Sequence, residues 1–153
     1  MINMDAEIIR VTKSFTFDMA HALYGYDGMC KNIHGHTYHL FVTIQGKATQ
    51  ATENPKNGML LDFGDFKKVI NEVIIKSFDH ALVLNGNSPH RELKILDEQF
   101  ENVIYLPFQP TCENLIIHFK TLLQPYYSGD QRLVYLKLME TPTSYSEWLL
   151  SDN

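Results

Sequence analysis

The chain has 153 residues, 44% of them hydrophobic and 20% charged, which suits one folded domain spanning residues 1–153 and excludes an unstructured chain. Thirteen Lys and Arg against eighteen Asp and Glu give a net charge of -5, with no basic block longer than Lys67-Lys68, so no nucleic-acid partner is expected. Apolar runs such as Val73 to Ile75 are far too short for a bilayer, and the first ten residues carry acids where a signal peptide has its apolar stretch. No membrane partner and a cytoplasmic location are expected, and two cysteines make no disulfide framework.

Ile8 to His21 reads as a strand, because Phe15, Phe17 and Met19 alternate with Ser14, Thr16 and Asp18. Gly25, Asp27-Gly28 and Asn32 make Ala22 to Ile33 a loop. His34 to Lys47 is a second strand with Tyr38, Leu40, Val42 and Ile44 on one face. Asn54-Pro55 and Asn57-Gly58 mark a turn before a short predicted strand, Met59 to Phe63. Asp65 to Lys76 has the apolar stripe of a helix in Phe66, Val69, Ile70, Val73 and Ile74. Asn85 to Gln99 reads as polar loop with one helical turn in Arg91 to Leu96, and Asn102 to Leu106 as a strand. Thr111 can cap a second helix through Leu123, and Gly129-Asp130 turns into a last strand, Arg132 to Glu140. This order predicts an α+β fold with a mainly antiparallel sheet and two helices on one face.

Counting by two from Phe15 leads through Phe17 and Met19 to His21. Counting back from Ile44 leads through Tyr38 to His36 and His34. Strand parity therefore sets three imidazoles on the face that elsewhere enters the core, and a hairpin would bring His21 opposite His34 and His36. Three separately packed histidines are the plain alternative. Three on one apolar face, two in a His-x-His pair, point instead to a catalytic zinc with a vacant fourth position. Cys30, in the joining loop, reads as a base, a nucleophile, a fourth zinc ligand or an inert loop residue. Cys112 at the second helix reads as packing. Asp79-His80 could form an oriented pair or an ordinary helix end. Glu140, on the parity of Val134, Leu136 and Leu138, either meets two ligand N–H groups or twists out to solvent.

Together these segments resemble the 6-pyruvoyltetrahydropterin synthase / 6-carboxytetrahydropterin synthase family. The resemblance runs from Phe15-Thr16-Phe17-Asp18-Met19-Ala20-His21 and Cys30-Lys31-Asn32-Ile33-His34-Gly35-His36 through Gly58-Met59-Leu60-Leu61-Asp62-Phe63. It continues in Phe78-Asp79-His80-Ala81-Leu82, Pro110-Thr111-Cys112-Glu113-Asn114 and Glu140-Thr141-Pro142-Thr143-Ser144. The resemblance implies zinc (Zn2+) on His21, His34 and His36, with Cys30 as general base and Asp79 and His80 as its relay. It implies Glu140 as pterin anchor, with Thr111 and Glu113 beside it.

It also implies the tunnelling fold, a four-stranded antiparallel sheet with two helices on one face. Three such units close a barrel and two barrels stack into a homohexamer with active sites between subunits. The implied substrate is 7,8-dihydroneopterin triphosphate. The implied product is 6-carboxy-5,6,7,8-tetrahydropterin, with loss of triphosphate and acetaldehyde on the route to queuosine. The 6-pyruvoyl branch, leading to tetrahydrobiopterin, is the neighbouring expectation, and a non-catalytic zinc and pterin module a third. A zinc hydrolase or deaminase lacks its His-Glu-x-x-His or His-x-Glu base here. Asn85 to Gln109 is longer than in the shortest relatives and bears on either the pocket mouth or the subunit contact.

Overall fold

A computed structural model describes residues 7–153, and its longest elements are the two strands anticipated by alternation. Strand β1 (Ile9–His21) pairs antiparallel with β2 (His34–Gly46) in one unbroken register, with Phe15 opposite Leu40 and Phe17 opposite Tyr38. The loop between them carries Gly25 at φ +75 and a 3-10 turn, Met29–Lys31.

Helix α1 (Phe63–Ile70) runs on through a π turn, Asn71–Ile75, into the short α2 (Lys76–Phe78). Its buried residues Phe66, Ile70, Ile74 and Phe78 recur every four positions. On a 3.6-residue helix such a series drifts by about 40° per step. The wider winding of the π turn takes back part of that drift, so all four side chains stay in the core. Strand β3 (Ala81–Asn85), the short α3 (Lys94–Gln99) and β4 (Val103–Leu106) follow. Helix α4 (Cys112–Leu123) then leads to β5 (Arg132–Thr141) and β6 (Ser144–Leu149).

The sheet differs from the four-stranded antiparallel expectation. It has six strands in the order β4-β3-β1-β2-β5-β6, and it is mixed. Ala81 to Val83 of β3 pair parallel to Met19 to His21, and β4 pairs parallel to β3. A four-residue apolar run such as Ala81-Leu82-Val83-Leu84 carries no period of its own, so alternation could not mark it as a strand. Val83 and Leu84 are both buried, as in a strand covered on two faces. Residues 59–63 form no strand; Asp62 instead caps α1, accepting from the Gly64 and Asp65 amides at 2.7 and 3.1 Å. Pairing with β5 makes β6 a strand although most of its residues are exposed.

The α+β class and the helix layer stand as expected. Phe66, Ile74, Leu115 and Phe119 pack with Phe15, Phe17, Tyr38, Leu40, Leu136 and Leu138 in one core, so α1 and α4 lie on the same sheet face. Phe17 stacks on Tyr38 at 5.3 Å and meets Phe119 edge-on at 6.0 Å. The opposite face shows Ser14, Thr16, Asp18 and Thr37 to solvent. No helix among the described residues is long and apolar enough to cross a membrane.

Candidate active site

The end of β1 and the start of β2 place the three histidines. His21 pairs directly with His34, and His36 sits one step along opposite Met19. Gly35 lets β2 approach β1 there, since a Cβ on it would lie 3.3 Å from the Met19 carbonyl. One ring nitrogen from each of His21, His34 and His36 falls within 4.8 Å of the others. His21 is buried, at 2% exposure, and the other two are half-buried.

Two main-chain carbonyls decide the tautomers. The Nδ1 of His21 lies 2.7 Å from Pro110 O, and that of His34 lies 2.8 Å from Asn32 O. A carbonyl only accepts, so each Nδ1 must carry the proton and each Nε2 presents a lone pair. Those two Nε2 atoms stand 3.1 Å apart. Bare lone pairs at that distance repel unless a cation lies between them. Burial holds the His21 pKa below its usual value, which favours its neutral ring. Two nitrogen ligands at 2.0–2.1 Å from a tetrahedral zinc stand roughly 3.3 Å apart, so the donor set fits that metal. The hydrogen bonds from Nδ1 to carbonyls are the outer contacts that orient metal-bound imidazoles. Cys30 lies outside this ligand group, which bears against its reading as a fourth ligand.

Beside His21 opens a cleft of about 310 Å³, lined by Cys30, Thr111, Glu113, Glu140 and Tyr145 among others. Four of the anticipated residues thus share one cleft with a histidine of the cluster. Glu140 Oε1 lies 3.6 Å from His21 Nε2 and accepts from the Tyr38 hydroxyl at 3.1 Å. Burial, and then the Glu140 charge, push the Tyr38 pKa far up, so this phenol stays a donor. Thr111 caps α4 through the Asn114 amide at 3.3 Å, which sets Glu113 in the first turn. Cys112 points into the core; its thiol donates to Leu138 O at 3.2 Å and burial raises its pKa. The helix N-terminus does not make it a thiolate.

Asp79 and His80 are held elsewhere. The His80 Nδ1 is 3.1 Å from Asp79 Oδ1, which also accepts from the Asp18 amide at 2.9 Å. The His80 amide donates to Asp18 O at 2.7 Å, with the His80 backbone at φ +60, a left-handed conformation that few non-glycine residues adopt. His80 lines a second concavity with Asp18, His36, Thr37 and Phe100, and Cys30 does not. Within one chain His80 and Cys30 therefore line different clefts. The histidine cluster stands between them, with His21 lining one cleft and His36 the other.

Sequence reasoning passed over Tyr38, Pro110 and Asn32. Tyr38 was within reach, since it follows His36 on the same parity. The two carbonyls carry no side-chain signal, so nothing in residue types could reveal them.

The architecture is α+β, with a histidine group that could hold a metal beside a cleft. The chain belongs to the 6-pyruvoyl tetrahydropterin synthase family, whose model matches residues 10–149, and it is a lyase-type enzyme. It is 33% identical over 143 residues to a 6-carboxy-5,6,7,8-tetrahydropterin synthase of Haemophilus influenzae, covering 92% of this chain and 99% of that protein. A protein of the same name from Rickettsia felis is 34% identical over 147 residues, with the same two coverages. Among solved structures, an uncharacterized protein from Wolinella succinogenes superposes with TM-score 0.73 at 19% identity, over 95% of this chain and 99% of that one. The 6-pyruvoyl tetrahydropterin synthase of Caenorhabditis elegans gives 0.66 at 22% identity, over 97% and 99%. These two likenesses speak to the fold.

Proposed function

We propose that the chain is a cytoplasmic, zinc-dependent lyase that converts 7,8-dihydroneopterin triphosphate and one water to 6-carboxy-5,6,7,8-tetrahydropterin with loss of triphosphate and acetaldehyde, on the route to queuosine. The observation that carries this reading is the pair of carbonyl-locked imidazoles facing each other beside a cleft that holds both a thiol and a carboxylate. The choice of product follows the names of the relatives at 33–34% identity.

His21, His34 and His36 would hold the zinc, which supplies a Lewis acid for the substrate's side-chain oxygens. Glu140 accepts the two N–H groups of the pterin edge, with Tyr38 holding its Oε1 in place. Thr111 and Glu113 flank the same ligand. The Cys30 thiolate removes a proton from the substrate side chain, and His80, oriented by Asp79, returns or relays one.

The distribution of these groups supports an assembly. Cys30 and His80 line different clefts of one chain, so a neighbouring subunit's His80 completes the Cys30 site. Among the described residues, the outer strands β4 and β6 each leave one edge unpaired, ready to continue a barrel into a homohexamer. Two experiments test the reading. Chelation should abolish turnover of dihydroneopterin triphosphate and added zinc should restore it; turnover unchanged by chelation would refute zinc dependence. Mixed Cys30→Ala and His80→Ala chains should regain activity that neither has alone, and failure to do so after subunit exchange would refute the shared site.

A further inference from the structure

We infer that Gln109 is a positioning residue that fixes the loop carrying Cys30, and that Gln109-Pro110-Thr111 ties the three parts of the site together. The inference rests on the proposed role of Cys30.

The side-chain amide of Gln109 makes two complementary bonds to one residue of that loop. Its Oε1 accepts from the Tyr24 amide at 3.2 Å, and its Nε2 donates to the Tyr24 carbonyl at 2.7 Å. A main-chain N–H and C=O side by side admit only one orientation of a primary amide, so the pairing also settles which end is oxygen. The clamp reaches Cys30 through one further bond. Leu23, next to Tyr24, donates its amide to the Cys30 carbonyl at 2.9 Å. The loop's other bonds are local, among them Tyr26 N to Leu23 O at 3.3 Å and Asn32 N to Met29 O at 3.0 Å. Gly25 takes a positive φ and Tyr24, Tyr26 and Met29 are exposed, so Gln109 is what ties the loop to the 85–109 segment by hydrogen bonds. Tyr24 packs edge-on against His90 at 5.3 Å, a second tether to the same 85–109 segment.

Gln109 is itself anchored. Its carbonyl accepts from the Asn114 side chain at 2.9 Å and from the Thr111 amide at 2.8 Å. The next residue, Pro110, offers the carbonyl that fixes the His21 tautomer, and Thr111 caps α4 in the substrate cleft. Three consecutive residues thus set the place of the thiol, of one histidine and of the ligand-facing helix end. The 85–109 segment ends in the residue that reaches across to the Cys30 loop. An error of an ångström in a reacting group costs up to about a hundredfold in rate, so a clamp one residue from the Leu23–Cys30 bond is well placed to control turnover.

The test uses the zinc-loaded full chain with Gln109→Ala and the near-isosteric Gln109→Glu, which turns an oxygen toward the Tyr24 carbonyl. Hydrogen exchange should rise by about tenfold or more in peptides covering residues 23–30 and stay unchanged in β1 and α4. With dihydroneopterin triphosphate, kcat should fall by about tenfold while KM stays within about twofold, and zinc content should not move. Gln109→Asn, which keeps both groups on a shorter arm, should recover less than half of the loss. Unchanged exchange in residues 23–30 of both variants would overturn the clamp. So would wild-type kcat with faster exchange, since the loop would then move without consequence. A wild-type chain that does not turn over the substrate refutes the assigned function separately, and the exchange arm still decides whether Gln109 holds the loop.

Discussion

His21 and His34 face each other through Nε2 atoms 3.1 Å apart, while the far nitrogen of each ring is engaged by a main-chain carbonyl. The arrangement leaves two lone pairs converging on one point inside a buried strand end. Together with His36 they form a donor group that could hold a metal ion.

Replacing His21, His34 or His36 by Ala should therefore cut bound zinc from about one per chain to about a tenth of that at micromolar metal, as expected when one of three protein ligands goes. The fold should persist, since the core below these residues is built from Phe15, Phe17, Leu40 and Leu136. Metal analysis with circular dichroism checks both points. Full zinc content in all three variants would remove the metal site.

The two cysteines should behave oppositely. Cys30→Ala should keep zinc and lose about 10²–10⁴-fold in turnover, the usual range for a missing general base. Cys112→Ala should keep turnover and lose roughly 1–2 kcal/mol of stability, because its thiol fills the core and donates to Leu138 O. Alkylation followed by mass spectrometry should label Cys30 first, since burial raises the Cys112 pKa.

Glu140→Gln tests recognition of the pterin edge. The substitution keeps the shape but sets an N–H against the ligand's own donor. Pterin affinity measured by calorimetry should weaken by roughly 2–5 kcal/mol, the range for breaking a buried charged pair. Zinc content should not change. Wild-type affinity would mean that Glu140 serves only to accept the Tyr38 hydroxyl.

Much of this site was legible in alternation alone. Parity put His21, His34 and His36 on the core face, and the β1–β2 register set His21 against His34 as a hairpin requires. The helices were legible because Phe66, Ile70 and Ile74, and Leu115, Phe119 and Leu123, follow helical spacing. The π turn was not, since no residue type marks it. Strand β3 was hidden because its partner on one side is the distant end of β1, so its pairing depends on a crossover that local pattern cannot express. Residues 59–63 looked extended from composition, yet the Asp62 cap and the turn at Gly58, with φ +83, take the chain straight into α1.

That cap gives a pH signature. The Asp65 and Gly64 amides hold the Asp62 pKa below its usual value. A carboxyl depressed in the folded state adds stability above its unfolded value of about 3.9 and loses it as pH falls through the lower folded value. Asp62→Ala should therefore melt below the wild type at neutral pH, and the gap should narrow as pH falls from about 5 toward 2. A gap that stays constant across that range would show that the charge of Asp62 adds nothing.

Cleavage of the substrate side chain, as well as expulsion of triphosphate, separates the proposed reaction from that of the 6-pyruvoyl branch. The direct measurement is to incubate the zinc-loaded chain with 7,8-dihydroneopterin triphosphate and identify the pterin by mass while trapping any released aldehyde. The expected result is 6-carboxy-5,6,7,8-tetrahydropterin with one equivalent each of acetaldehyde and triphosphate. A product that keeps its three-carbon side chain as the 6-pyruvoyl compound, with no acetaldehyde, would contradict it.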